Sequence, residues 1–269
     1  MMDKQKIADF FDEYAPGWDD DMVRNEEIIS LILDHGGIKE GVHVLDVACG
    51  TGVLFPDYFS RKVASVTGID ISPNMAKIAA AKFPQATVIC GDVENTIFEQ
   101  QFDCVMVYNA FPHFPSPENL IRVLAGLVRP GGKLSVAHGM SRATLTNHHS
   151  GRASSVSIDL IHENELATIF SRWFDVDVVI SNDNMYQVAG IRNDVAAEST
   201  TETPLAELLA LMRYMVNHND AHAQELAELA HQLKEAGRTE AYREIMEAVA
   251  DFDVANARLS AVLDHLTDA

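Results

Sequence analysis

The sequence predicts an α/β protein: a mostly parallel sheet with an antiparallel edge hairpin, followed by a C-terminal α-helical hairpin. Between residues 42 and 137, short apolar runs alternate with amphipathic helical stretches, the pattern of β-α units whose strands lie parallel. Past Pro204 the apolar residues recur by threes and fours, a heptad period unlike anything before it. The polar, threonine-rich stretch 193–203 separates the two patterns. The expected organisation is therefore a domain over 1–192, a linker over 193–203 and a helical hairpin over 204–269, serving dimerisation or partner binding.

An aromatic-rich helix from about Ile7 carries Phe10, Phe11, Tyr14 and Trp18, and a second helix, Glu26 to Leu33, closes at Gly36-Gly37. The first strand is Val42 to Val47. Further strands are predicted at Ser65 to Ile69, Thr87 to Cys90, Phe102 to Tyr108 and Lys133 to Ala137, with helices at Asn74 to Lys82 and Pro117 to Val128. Trp173 to Ile180 and Met185 to Ile191, joined through Asn182-Asp183-Asn184, predict the edge hairpin. In the tail, Leu205, Leu208, Met212, Met215, Asn219, His222, Leu226, Leu229 and Leu233 form one seam, and Ile245, Ala248, Phe252, Ala255, Leu259, Val262 and Leu266 a second, with the turn at Gly237-Arg238. Asn219 should then face Asn256, and His222 face Asp253, as a polar layer controlling register. Two such helices expose more apolar surface than one seam covers, so the hairpin should pack on the main domain or pair with another copy as a four-helix bundle; a homodimer through these helices is the favoured expectation.

The composition excludes several classes. In 269 residues, 20 Lys and Arg stand against 40 Asp and Glu, a formal charge of -20 with no basic run, which disfavours nucleic acid and anionic membranes and favours a small neutral or cationic substrate. Cys49, Cys90 and Cys104 form no CxxC pair and lie in apolar segments, as reduced thiols do. Without a membrane-spanning run or an apolar leader, the expectation is a cytoplasmic protein.

The chemistry concentrates in Val44-Leu45-Asp46-Val47-Ala48-Cys49-Gly50-Thr51-Gly52. Gly50 and Gly52 let the backbone turn sharply after the first strand and approach a ligand where a Cβ would collide, as in a nucleoside-cofactor loop. Asp70, ending the second strand, can accept both hydrogen bonds of a ribose diol, or serve simply as a turn acid before Ser72-Pro73, where Ser72 caps the next helix. Asp92 stands at the matching place after the third strand and can accept from an adenine amino group. Cys49 reads as a packed residue beside the cofactor rather than a nucleophile. A nicotinamide site would need G-x-G-x-x-G/A for its pyrophosphate, whereas Phe55 occupies the third position.

These motifs, with Phe102-Asp103-Cys104-Val105 leading to Asn109 and Leu127-Val128-Arg129-Pro130-Gly131-Gly132, resemble the class I S-adenosylmethionine-dependent methyltransferases, notably the small-molecule branch with the ubiquinone and menaquinone methyltransferases. The resemblance spans roughly residues 7–192 and implies a Rossmann-like sheet with S-adenosyl-L-methionine as cofactor. It places the methionine part at Asp46 and the Ala48-Cys49-Gly50 to Gly52 backbone. The ribose falls to Asp70, with Ile71 and Met75 beside it, and the adenine to Asp92 and Val93, with Asn109 completing the cofactor set. Ala48 stands where many relatives have glycine, a change expected to be harmless. The helical tail lies outside the family pattern.

Methyl transfer is in-line displacement at a sulfonium, which needs alignment, exclusion of water and sometimes a base. The carboxyl ends of strands four and five offer Tyr108, His113 and His138 as catalytic candidates. His138, His148, His149 and His162 are unusually dense: they are solvent and core residues, or one is a base, or three hold a metal ion. His218 and His222 lie one helical turn apart, a spacing also used by metal sites. The aromatic first helix is either a lid over the cofactor or an ordinary amphipathic helix. A small-molecule acceptor is expected, whether thiol, phenol, amine or tetrapyrrole. No Asn-Pro-Pro-Tyr-like motif follows strand four, and the cysteines are too confined for a cysteine-relay metalloid methyltransferase. The competing readings are a nicotinamide-dependent reductase and a cofactor-binding scaffold without catalysis.

Overall fold

The computed structural model describes residues 4–20, 23–149, 156–193, 216, 223, 226–227, 229–234 and 236–267. Five strands run parallel: β1 (His43–Val47), β2 (Ser65–Asp70), β3 (Thr87–Cys90), β4 (Phe102–Tyr108) and β5 (Val128–His138). The last two, β6 (Phe174–Ser181) and β7 (Tyr186–Arg192), form the antiparallel hairpin. The order across the sheet is β3-β2-β1-β4-β5-β7-β6. Chain direction therefore reverses its progress between β1 and β4, which opens a crevice at the carboxyl ends of those strands.

Burial follows the sequence pattern. The central strands β1 and β4 are apolar almost throughout and buried on both faces, whereas β6 alternates residue by residue, as an edge strand with one wet face does. One apolar layer joins Leu45, Val105 and Val107 to α5 (Pro117–Leu127) and α7 (Glu163–Phe170). The opposite layer joins Val44, Cys104 and Met106 to α2 (Glu26–His35) and α3 (Phe55–Ser60). Adjacent residues of one strand thus serve opposite layers, the period-2 consequence of the pleat. The remaining helices of this unit are α1 (Lys4–Tyr14), α4 (Pro73–Lys82) and α6 (Arg142–His149). Side-chain oxygens cap helix starts: Asn25 accepts from Ile28 N, Ser72 from Met75 N, Ser116 from Asn119 N and Ser141 from Thr144 N.

Most predicted elements lie within one or two residues of their observed bounds, but β5 starts five residues early, at Val128 rather than Lys133. Val128 pairs with Phe102, and a register shift before Cys104 absorbs the Gly131-Gly132 excursion. Helix α5 correspondingly stops at Leu127, with Val128 already extended.

The chain divides into two compact units, Met1–Ala196 and Ala197–Ala269. Within the second, α8 (Thr239–Thr267) follows a turn in which Gly237 adopts φ +79°. Gly237 N donates to Lys234 O and Arg238 N to Leu233 O, the paired bonds that end a helix on a left-handed glycine. The inward seam of α8 differs from the predicted one. Val249, Asn256 and Leu263 are buried, and Asn256 Nδ2 donates to Val216 O at 2.6 Å. Phe252, Leu259, Val262 and Leu266 are instead 40–46% exposed. Val249, Asn256 and Leu263 repeat every seven residues beside the predicted seam, so α8 has two adjacent apolar stripes, and the stripe holding the asparagine is the one turned inward. Asn219, His218 and His222 lie outside the described residues. Among the described residues, no helix is long and apolar enough to cross a membrane.

Two glycines separate packing from propensity. A Cβ at Gly68 would stand 2.6 Å from Phe55 Cζ and 2.8 Å from Cys49 Sγ, whereas one at Gly126, on α5, would meet nothing. In chemical denaturation, Gly68→Ala should lower stability by about 1–3 kcal/mol through overpacking. Gly126→Ala should raise it by about 0.5–1 kcal/mol.

Candidate functional site

The crevice between β1 and β4 holds a cavity of about 530 Å³, within the range of small-ligand sites. Its floor is the glycine loop. Gly50, with φ +54°, would place a Cβ no closer than 3.9 Å to any side chain, so a ligand could approach that side of its backbone. Gly52 plays another part than the sequence suggested: it does not line the cavity, and a Cβ there would meet the Phe83 ring at 2.9 Å. Packing of α3 against Phe83, together with φ +84°, demands glycine at that point. Ala48 lines the cavity at φ +54°, a left-handed conformation that costs an alanine about 1–2 kcal/mol, so its replacement of glycine is tolerated rather than neutral.

Asp70 fixes the loop. Its Oδ2 accepts from Gly50 N at 2.8 Å and its Oδ1 from Ser72 N at 2.9 Å, which ties the turn after β1 to the start of α4. Burial raises the Asp70 pKa, and the two backbone donors partly offset that. Each carboxylate oxygen keeps acceptor capacity toward the cavity, which Ile71 and Met75 also line.

Asp46 lies behind this lining, 2% exposed, beside the Tyr58 phenol, with which it interacts. Burial pushes the Asp46 carboxyl up to about 8; the phenol opposes the shift and the charge of Asp70 adds to it. Burial likewise holds the Cys49 thiol, which lines the cavity, well above its ordinary pKa, so it stays protonated and poorly nucleophilic.

At the other end, Asp92 and Val93 line the cavity, but Asp92 is more heavily engaged than expected. Its Oδ2 accepts from Lys4 Nζ and from Asn95 Nδ2, both at 2.6 Å, and its Oδ1 from Glu94 N at 3.0 Å. Lys4 also pairs with Glu94. The adenine-accepting role assigned to this carboxylate is thus taken here by a lysine that α1 delivers from 88 residues away.

The third side of the cavity comes from the ends of β4 and β5. Asn109, at φ +54°, donates its backbone N–H to Ala137 O and accepts from Gly139 N at 3.0 Å through Oδ1, which pins the two strand ends together. Tyr108 lines the cavity, and a Cβ on Gly139 would stand 2.5 Å from its hydroxyl, so the phenol occupies room that only glycine leaves. Burial raises the Tyr108 pKa, which keeps its hydroxyl a donor. His113 lines the cavity, edge-on to Phe11 at 4.8 Å, with Nδ1 placed 2.9 Å from Val156 O. Donation to that carbonyl puts the proton on Nδ1 and the lone pair on Nε2.

His138 is not part of the cavity. It is fully buried, pairs in register with Tyr186 of β7 and packs edge-on to that ring at 6.1 Å. Antiparallel pairing of β7 covers the end of β5 and turns this ring into the core, against the catalytic role assigned to it. His162 caps α7, accepting from Asn164 N. The side chains of His148 and His149 lie outside those described. Of the aromatic helix, Phe11 and Trp18 line the cavity, while Phe10 and Tyr14 pack against one another and do not. Phe11 and Trp18 thus stand where a lid would, while Phe10 and Tyr14 pack as in an ordinary amphipathic helix.

Several residues escaped the sequence reading. Asp12 accepts from Ser72 Oγ, Asn74 N and Asn74 Nδ2, and Asp19 accepts from Thr51 Oγ1 at 2.6 Å and Lys82 Nζ at 2.7 Å. These acids clamp the N-terminal segment onto α4 and the glycine loop. Arg24, a cavity-lining cation, bridges Val53 O, Asp57 and Glu26.

Residues 45–136 match the model of a methyltransferase domain, and residues 208–266 that of a domain of unknown function. The ubiquinone biosynthesis O-methyltransferase of Coxiella burnetii is 30% identical over 143 residues, 49% of this chain and 61% of its own length. The chain thus spans about three-fifths of that relative. Among solved structures, N-methyltransferase NodS from Bradyrhizobium japonicum, in complex with S-adenosyl-L-homocysteine, superposes with a TM-score of 0.55 at 15% identity, over 71% of this chain and 98% of the other. Magnesium protoporphyrin IX methyltransferase from Synechocystis, with bound S-adenosylmethionine, gives 0.52 at 18% identity, over 72% and 98%. At those identities the likeness is one of fold.

Two outcomes follow from the buried acids. Asp70→Asn offers one acceptor where two backbone donors need two, so its dissociation constant for S-adenosylhomocysteine in calorimetry should rise by about 10- to 100-fold; an unchanged constant removes Asp70 from the site. Because the folded-state pKa of Asp46 lies above its unfolded value of 3.8, its contribution is fully present below pH 4 and lost as pH rises toward about 8. Denaturation of Asp46→Asn should therefore show a flatter fall in stability across that window than the parent protein.

Proposed function

Because this chain carries a class I S-adenosylmethionine-dependent methyltransferase domain, we propose that it transfers a methyl group to a hydroxyl of a small, largely apolar aromatic acceptor. S-Adenosylmethionine is the cofactor of the family, and two features fit it: the open side of Gly50 and the remaining acceptor capacity of Asp70. When bound, the cofactor supplies a methyl group on a sulfonium, an electrophile that needs no acid assistance. In this reading Asp70 accepts from the ribose diol, while the backbone of Ala48, Cys49 and Gly50 holds the methionine part, with Asp46 behind it. Met75 and Ile71 cover the nucleoside, and adenine lies by Val93. Asp92 binds the adenine amino group only after Lys4 yields its place.

The observation that carries the reading is one continuous cavity from Asp70 to Tyr108 and His113, walled by Phe11, Trp18, Phe114 and Met140. Such walls exclude water and suit an aromatic ring. The curated relative's name supports a hydroxyl as acceptor. Tyr108 orients that oxygen by donating to it, and His113 removes its proton through Nε2. A dinucleotide reading is poorly supported. Helix α3 is six residues long, starts three residues after Gly52 and buries Phe55 at its first position, which leaves no helix N-terminus at the glycine turn for a pyrophosphate.

A screen of phenols, catechols, thiols and amines, read as S-adenosylhomocysteine formed, tests the proposal. Turnover confined to hydroxyl acceptors supports it; tight binding of NADH with none of S-adenosylhomocysteine defeats it. His113→Gln should lower kcat by about 100-fold, with part of the loss recovered at alkaline pH, where an ionised acceptor needs no base.

A further inference from the structure

We infer that the outward apolar stripe of α8 is a docking surface for a second copy of this chain, with the two helices antiparallel. Phe252, Leu259, Val262 and Leu266 follow one another by seven, three and four residues and are each 40–46% exposed, although the same helix already buries Val249, Asn256 and Leu263 on its neighbouring stripe. The outward stripe continues back to Ile245, about six turns in all. Among the described residues that is a coiled-coil seam with no helix covering it, and α8 is too long for such a seam to be scattered surface residues.

Its sequence is complementary to itself in one orientation. Place the two-fold axis between residues 253 and 254. Phe252 then lies against the second copy's Ala255, Leu259 against the second copy's Ala248, and Ile245 against the second copy's Val262. In two of these three layers a large residue faces an alanine, and in the third two β-branched residues meet, as interdigitating seams allow. The flanking positions agree. Asp251 and Arg258, both exposed, each precede a seam residue, and the same axis sets Asp251 of one copy beside Arg258 of the other, twice by symmetry. A parallel pair would stack Phe252 on Phe252 and alanine on alanine, leaving crowding in one layer and a void in the next.

Sedimentation equilibrium of the full chain tests this, with helicity and S-adenosylhomocysteine binding as controls for folding. The parent chain should be dimeric at micromolar concentration, and Leu259→Glu should weaken association by about 100-fold or more. Asp251→Arg, a surface change that leaves the helix intact, should weaken it about tenfold, and adding Arg258→Asp should restore it to within about threefold. A chain monomeric up to about 100 µM, a dimer indifferent to Leu259→Glu, or a double exchange no better than the single would each overturn the proposal.

Discussion

A single carboxylate holds the site in shape. Asp70 closes the second strand and accepts from backbone donors on two different segments, Gly50 after β1 and Ser72 before α4. With both oxygens so used, the glycine turn is tied to the first residues of α4. The opposing wall has an equivalent tie in Asn109, whose main chain bonds to Ala137 and whose side chain bonds to Gly139. Both ties lie at the carboxyl ends of parallel strands, beside the crossover that opens the crevice. The charged side chains on the cavity are held in pairs or by backbone donors: Lys4 with Asp92, Arg24 with Asp57, and Asp70 with Gly50 and Ser72. A sulfonium donor is therefore met by fixed dipoles and buried acids rather than by mobile surface ions, which favours alignment over electrostatic capture.

The N-terminal segment completes the enclosure through polar bonds more than through its aromatic residues. Asp12 satisfies Ser72 and Asn74 at the cap of α4, and Asp19 binds Thr51 within the glycine loop. Phe11 and Trp18 are thereby set over the cavity, while Phe10 and Tyr14 pack beside it. Lys4 closes the far end against Asp92 and Glu94. The one carboxylate expected to read the base is already bound to a cation, so entry of a nucleoside there exchanges one partner for another instead of filling empty acceptors.

How far the sequence could be read depended on the range of each interaction. The glycine loop, Asp70 and the alternation of strands and helices are local patterns, and local patterns survive in a single sequence: β1 to β4 and the edge hairpin all lie where periodicity places them. Residues whose role depends on distant segments did not survive. His138 ends a strand as a catalytic residue often does, yet pairing with Tyr186 across the antiparallel junction turns it inward. Lys4 and Asp92 are 88 residues apart, and nothing near either one announces the other. In α8 the failure has a different cause: two stripes share one seven-residue period, and periodicity alone cannot say which stripe faces inward.

The closeness of Gly139 to the Tyr108 hydroxyl bears on how substrate breadth could evolve in this fold. Any side chain at 139 competes for the room the phenol takes, so a residue that does not line the cavity constrains one that does. Selectivity could then drift through a backbone position on a loop after β5 while every group that grips the donor stayed unchanged.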